Sequence, residues 1–209
     1  LRGGLMLGFA LLTLIAIPEE GRLTDDVQEK IFLGWAVGFY FLTLMPLTCL
    51  SVCGSMVREE ASANTLCFYT TRPLKRAEMF LLFYFGNVAW LQVLFGMLTL
   101  MIFGVAAIRG VDGLGALLPI FLITQFLALM AWGALCGMIG MAHQRYIVVG
   151  IVYGLLVEIG IANIPTNVAN ISISHHIHTL LAHHSTLGLM FDWPTEGRAM
   201  AIACLAMGT

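Results

Sequence analysis

Charge is what this sequence has least of. Asp, Glu, Lys and Arg make up 11% of its 209 residues, against roughly 25% in an ordinary soluble domain, which excludes a water-soluble globule. The ten basic and twelve acidic residues leave a net charge of −2. So few scattered cations form no stripe for a nucleic-acid backbone, and so little charge forms no acidic, disordered tail. Catalytic signatures are missing as well. The chain contains no GxxxxGKS/T, HExxH, GxSxG or CxxC, so it neither holds ATP by a P-loop nor runs recognised hydrolase chemistry by itself. Its five cysteines (Cys49, Cys53, Cys67, Cys136, Cys204) are odd in number and irregular in spacing. They read as small core hydrophobes rather than a disulfide framework.

What is abundant is apolar sequence: 59% hydrophobic residues and 22 glycines, with a mean hydropathy of +0.91. That is the composition of a membrane protein, where glycine inside helices lets backbones pack closely. The rare charges then mark the ends of spans, because a crossing helix needs about 20 apolar residues and an ionised group at mid-bilayer costs several kcal/mol. Segments 31–57, 79–108 and 113–142 contain no Asp, Glu, Lys or Arg, and a fourth run, 146–164, is interrupted only by Glu158. The terminal runs 3–17 and 197–209 are too short to cross alone and are expected to be spans cut by the ends of the sequence; Arg2 with the first run would also suit a signal peptide, but the acidic Glu19 and Glu20 follow without a small-residue cleavage site. The expected fold is therefore an all-α integral membrane protein with six transmembrane helices, residues 1–209 forming a single membrane domain.

Orientation follows from the basic residues. Arg2, Arg58, Arg72, Lys75, Arg76 and Arg145 fall on one side and Arg22, Lys30, Arg109 and Arg198 on the other. The cluster at Arg72, Lys75 and Arg76 abuts a span, whereas Arg22 and Lys30 are diluted by carboxylates, so 58–78 is expected in the cytoplasm.

Segment 58–78 is the richest in polar chemistry. Arg58, Glu59 and Glu60 open a short helix whose first-turn acids favour the positive end of its dipole. Asn64, Thr65 and Leu66 carry it into an apolar part, Arg72 before Pro73 ends it, and Pro73 opens the next helix. Such an elbow serves either as a membrane-surface loop with snorkelling Arg and Lys or as a docking element.

The run MVREEASANTLCFYTTRPLKRAEMFLLFYFG resembles the segment between the second and third spans in permeases of ATP-binding cassette transporters of the type-2 exporter class. The match falls on Glu60, Thr65, Leu66, Pro73 and Arg76. In that family the segment is the coupling helix that sits in a groove of the ATPase subunit. The resemblance implies a transport subunit with no ATP site or other cofactor of its own, partnered by two cytoplasmic P-loop ATPases that bind ATP and Mg and by a second permease copy or paralogue. It implies coupling through Glu60, Thr65, Pro73 and Arg76, flanked by Arg58 and Glu59, with rocking of spans two and five opening the path. It also implies a bacterial inner-membrane location.

Between residues 159 and 191 there is again no Asp, Glu, Lys or Arg, yet Asn, Ser and His recur. This stretch is too polar to span and too apolar for water. A short re-entrant helical hairpin between spans five and six, buried in protein, satisfies both constraints, and the type-2 permeases resemble it here too. Trp193 and Pro194 suit an interfacial anchor. Glu158, about seven residues and roughly 10 Å before Pro165, belongs to the outer part of span five; with Asn163 it is a candidate for the transport pathway, the alternative being a carboxylate hydrogen-bonded to the hairpin. Five histidines crowd into HHIHTLLAHH. His175, His178 and His184 share a helical face and are weak candidates for a metal, but no thiol or carboxylate lies in the stretch, and interfacial packing is the plainer reading.

Two other classes compete with a permease: a structural or accessory membrane subunit packed in a larger complex, and an intramembrane enzyme using the histidines. The substrate is not legible from span residues such as Asn87, Gln92 and Gln125.

Overall fold

A computed structural model describes residues 34, 36–56, 76–108, 114–161, 172–181 and 202. Every element among them is helical. The first, α1 (Ala36–Cys53), is π-helical over Ala36–Leu44 and α-helical over Met45–Cys53. The change falls at Pro46, at the start of the α-helical part. Proline has no N–H to give the preceding turn, and a wider turn accommodates that loss. Thr48 donates its hydroxyl back to the carbonyls of Leu44 and Met45 at 2.9 and 3.0 Å.

Two long helices come next, α2 (Arg76–Ile108) and α3 (Leu114–Ala142). Beyond them lie α4 (Tyr146–Tyr153), which runs on as a π-helical stretch, Gly154–Ile161, and then the short α5 (Ile173–Leu181). Three of these helices, Ala36–Cys53, Ala77–Ile108 and Gly115–Ala142, are long and apolar enough to cross a membrane, and they coincide with the charge-free stretches 31–57, 79–108 and 113–142. The fifth expected span, 146–164, is helical through Ile161, but its apolar part, Tyr146–Val157, is shorter than those three. The terminal runs 3–17 and 197–209 lie outside the described residues except for Ile202.

The apolar stripe of α2 shows how the bundle sorts its faces. Tyr84, Val88, Leu91, Phe95, Leu98, Ile102 and Ala106 are buried, at helical spacings of three and four, while Leu82, Phe85, Trp90, Val93, Met97 and Leu100 are exposed. Both faces are hydrophobic. In water this would be unstable; in lipid it is what a peripheral span requires, since acyl chains solvate leucine as well as a protein core does.

At the centre lies α3, which packs against α1, α2, α4 and α5. Association of helices in lipid rests on close van der Waals contact and interhelical hydrogen bonds, and α3 supplies small residues for it. A Cβ added to Gly140 would stand 2.8 Å from Gly54 Cα, and one added to Gly133 would stand 2.8 Å from Val88 Cγ2. Gly150 on α4 is pressed by the Leu50 side chain in the same way. Cys49, Cys53 and Cys136 are buried free thiols in this core, the packing role expected of them; Cys67 and Cys204 lie outside the described residues.

Candidate functional site

Polar groups inside an apolar bundle are the first place to look for function. The described spans hold one buried polar cluster. Tyr40 of α1 lies 2.7 Å from Thr99 Oγ1 of α2, and its hydroxyl is within 3.0 Å of both the Phe95 carbonyl and Gln125 Oε1 of α3. Thr99 also donates to Gln125 Oε1. All three side chains are at most 2% exposed. Phe41, Phe95 and Phe121 surround them, with the Tyr40 and Phe121 rings 5.9 Å apart and the Phe41 and Phe121 rings 4.7 Å apart. The Tyr40 hydroxyl carries a single proton to share between two acceptors, while Gln125 Oε1 accepts from either hydroxyl. A network this enclosed and paired acts as a clamp across three helices rather than as a place for substrate. Gln125 is legible in the sequence as a polar residue within a span; Tyr40, embedded in an apolar aromatic run, carries no signal of its own.

A second feature is open. Between α1, α3, α4 with its π-helical continuation, and α5 lies a cavity of about 410 Å³. Both π-helical stretches reach it, through Gly38 and Leu42 on one side and Gly154 and Leu155 on the other. Wide turns of this kind recur where a helix must present a site. Trp132 of α3 lines the cavity, is 3% exposed, and stacks edge-on against Tyr153 with ring centroids 6.4 Å apart. Among the described residues its Nε1–H has no acceptor, a cost of about 1–3 kcal/mol for a buried donor. Nothing in the sequence singles out Trp132, because a tryptophan inside a span is ordinary; only the three-dimensional packing leaves its polar edge without a protein acceptor.

The third feature is α5. Ser172 caps it, its Oγ accepting from the His175 N–H at 3.3 Å. Thr179 donates to the His175 carbonyl at 2.9 Å. Ser174, His176, Ile177, Thr179, Leu180 and Leu181 are buried, so the helix is seated firmly against α3 and the π-helical stretch after α4. The rings of His175 and His176 meet edge-on at 5.6 Å. Burial, and secondarily His176, lowers the His175 pKa; burial, and secondarily His175, pushes His178 down to about 4. Both imidazoles are therefore neutral at pH 7. Among the described residues no group of three or more His, Cys, Asp or Glu is placed to hold a metal; His184 lies outside them.

The remaining sequence candidates divide simply. Arg58, Glu59, Glu60, Asn64, Thr65, Leu66, Arg72, Pro73, Lys75 and Asn163 lie outside the described residues. Arg76 opens α2, and Glu158 belongs to the π-helical stretch Gly154–Ile161, four positions beyond the cavity-lining Gly154. No protein-family model matches the chain, and no curated protein or solved structure matches it significantly.

Proposed function

We propose that this chain is the permease subunit of an ATP-driven exporter, one half of a transmembrane pathway powered by separate cytoplasmic ATPases. The observation that carries the reading is the cavity between the second and fifth expected spans, into which the π-helical parts of both open. A pathway that opens by rocking those two spans needs room between them and helices that yield there, and π-helical turns interrupt regular α-helical bonding. The clamp at Tyr40, Thr99 and Gln125 holds α1, α2 and α3 together, so span two rocks with α2 and α3 as one body against α4 and its π-helical continuation.

In this reading the chain has six spans, with a re-entrant hairpin containing α5 between the fifth and sixth, and resides in a bacterial inner membrane. Segment 58–78 is the cytoplasmic coupling helix. Glu60, Thr65, Pro73 and Arg76 make the contact with the ATPase, and closure of two ATPases on ATP and Mg pushes on it. A second permease copy or paralogue completes the pathway, and Glu158 and Asn163 lie along its outer part.

The test is copurification of a P-loop ATPase and substrate-dependent ATP turnover in Glu60→Ala and Arg76→Glu. Removing one partner of a buried charged contact costs about 2–5 kcal/mol, so both variants should lose the ATPase or its coupling while accumulating normally in the membrane. Retention of both properties at wild-type levels would make 58–78 a surface loop and favour an accessory membrane subunit.

A further inference from the structure

Helices α1 and α4 run antiparallel and are zipped together at one end only. The closed end is built from large side chains set on glycines. A Cβ on Gly54, the residue after α1, would stand 2.7 Å from the Tyr146 ring, and one on Gly150 would overlap the Leu50 side chain. A step of four along α4, from Tyr146 to Gly150, thus matches a step of four back along α1, from Gly54 to Leu50. The next such step sets Gly154 opposite Pro46 and its neighbour Leu47, which lies three positions from Leu50 and so shares its side of the helix. There the zip is open. Leu50 is 6% exposed but Leu47 is 54% exposed, and among the described residues a Cβ on Gly154 would meet nothing within 4 Å. Pro46, Leu47, Leu50, Gly150 and Gly154 all line the cavity of about 410 Å³. The cavity is therefore the mouth of a V whose vertex lies at Leu50 and Gly150.

We propose that α4 and its π-helical continuation pivot about this vertex until Leu47 seats on Gly154 as Leu50 already seats on Gly150, closing the cavity. Gly150 and Gly154 form a small-xxx-small pair, the spacing that lets helices in lipid approach to backbone contact, and only the first of its two holes is filled. The backbone changes character at the second. Gly154 begins the π-helical stretch, and its N–H is shared between the carbonyls of Gly150 and Ile151, a three-centre arrangement found where helices end. A turn that is already interrupted can bend without losing a regular α-helical bond. Leucine gains nothing by leaving lipid for protein, so the closed contact rests on van der Waals packing, and packed interfaces switch between discrete arrangements rather than deforming continuously. The proposal deepens the permease reading by naming the contact that shuts the space between spans two and five. It rests on that reading for its meaning in transport, although closure itself requires no ATPase.

Distances between spin labels test the pivot, with the full chain in lipid nanodiscs, Cys67 and Cys204 replaced by Ser, and the buried Cys49, Cys53 and Cys136 left in place. One pair, Phe39→Cys with Leu156→Cys, spans the mouth at exposed positions; the other, Ser51→Cys with Ile147→Cys, spans the vertex, also at exposed positions. The mouth pair should show a shorter distance belonging to the closed form. Gly154→Leu fills the hole, and it fits the open form, where an added Cβ meets nothing within 4 Å; the shorter distance should be lost. Leu47→Ala removes the knob and should reduce that component several-fold. The vertex pair should keep one distance in all three backgrounds, which also reports an intact fold. A mouth distance unaltered by Gly154→Leu, a shorter component undiminished in Leu47→Ala, or a vertex distance that shifts as far as the mouth distance would each overturn the proposal. The permease reading fails separately, in the ATPase copurification of Glu60→Ala and Arg76→Glu, which these labels do not touch.

Discussion

Tyr40 Oη lies 3.0 Å from Gln125 Oε1, joining two helices across 85 positions of sequence. Thr99 of the helix between them bonds to both. Interhelical hydrogen bonds inside membranes average only about 0.6 kcal/mol, because the separated helices also find partners. Their value here is specificity of register, since a one-residue rotation of α1 would carry the hydroxyl away from both acceptors.

Tyr40→Phe should therefore destabilise the bundle by about 0.5–1.5 kcal/mol, because Thr99 and Gln125 remain paired with each other. Gln125→Leu should cost more, since it leaves both hydroxyls without their shared acceptor. Unfolding equilibria of the two variants in matched bicelles would rank them, and equal costs would mean that the cluster does not act as a unit.

The approach of Gly140 to Gly54 gives a sharper steric prediction. A methyl group on Gly140 would meet the backbone of Gly54, just past the end of α1, which cannot step aside as a side chain can. Gly140→Ala should cost about 1–3 kcal/mol, the ordinary range for overpacking. Gly96→Ala and Gly104→Ala, where an added Cβ meets nothing within 4 Å, should be neutral or slightly stabilising by helix propensity. The same unfolding measurement compares all three.

The pH response of α5 has a definite sign. His178 titrates near 4 when docked and near 6.5 when exposed. Above pH 6.5 it is neutral in both states and contributes nothing to pH dependence. Between about 6.5 and 4 the undocked helix takes up the proton first, so docking weakens as pH falls and levels off below 4. His175, whose pKa is also lowered, acts in the same direction. The thermal midpoint measured in nanodiscs should fall between pH 7 and pH 4.5 in the wild type and fall less in His178→Gln.

Topology is tested at Cys67. In a variant retaining Cys67 alone, a membrane-impermeant maleimide should leave intact cells unlabelled and react after permeabilisation, since the clustering of Arg72, Lys75 and Arg76 leads us to expect 58–78 on the cytoplasmic side. Labelling of intact cells would invert the orientation.

Three helices are legible from charge alone. An Asp, Glu, Lys or Arg is so costly in hydrocarbon that its absence over 31–57, 79–108 and 113–142 determines where spans can lie, and the helices Ala36–Cys53, Ala77–Ile108 and Gly115–Ala142 occupy those stretches. The glycines of α3 are legible as packing residues for a similar reason: in lipid, attraction between helices depends on how closely backbones approach. Which face of each span turns inward is not legible. On α2 the buried Leu91 and the exposed Leu100 are the same residue type, so hydrophobicity cannot sort them and only their neighbours can. The Tyr40 clamp, the missing acceptor of Trp132 and the cavity beside it depend on contacts between residues far apart in the chain. They exist only once the helices have packed in one register, and tertiary structure alone decided that register.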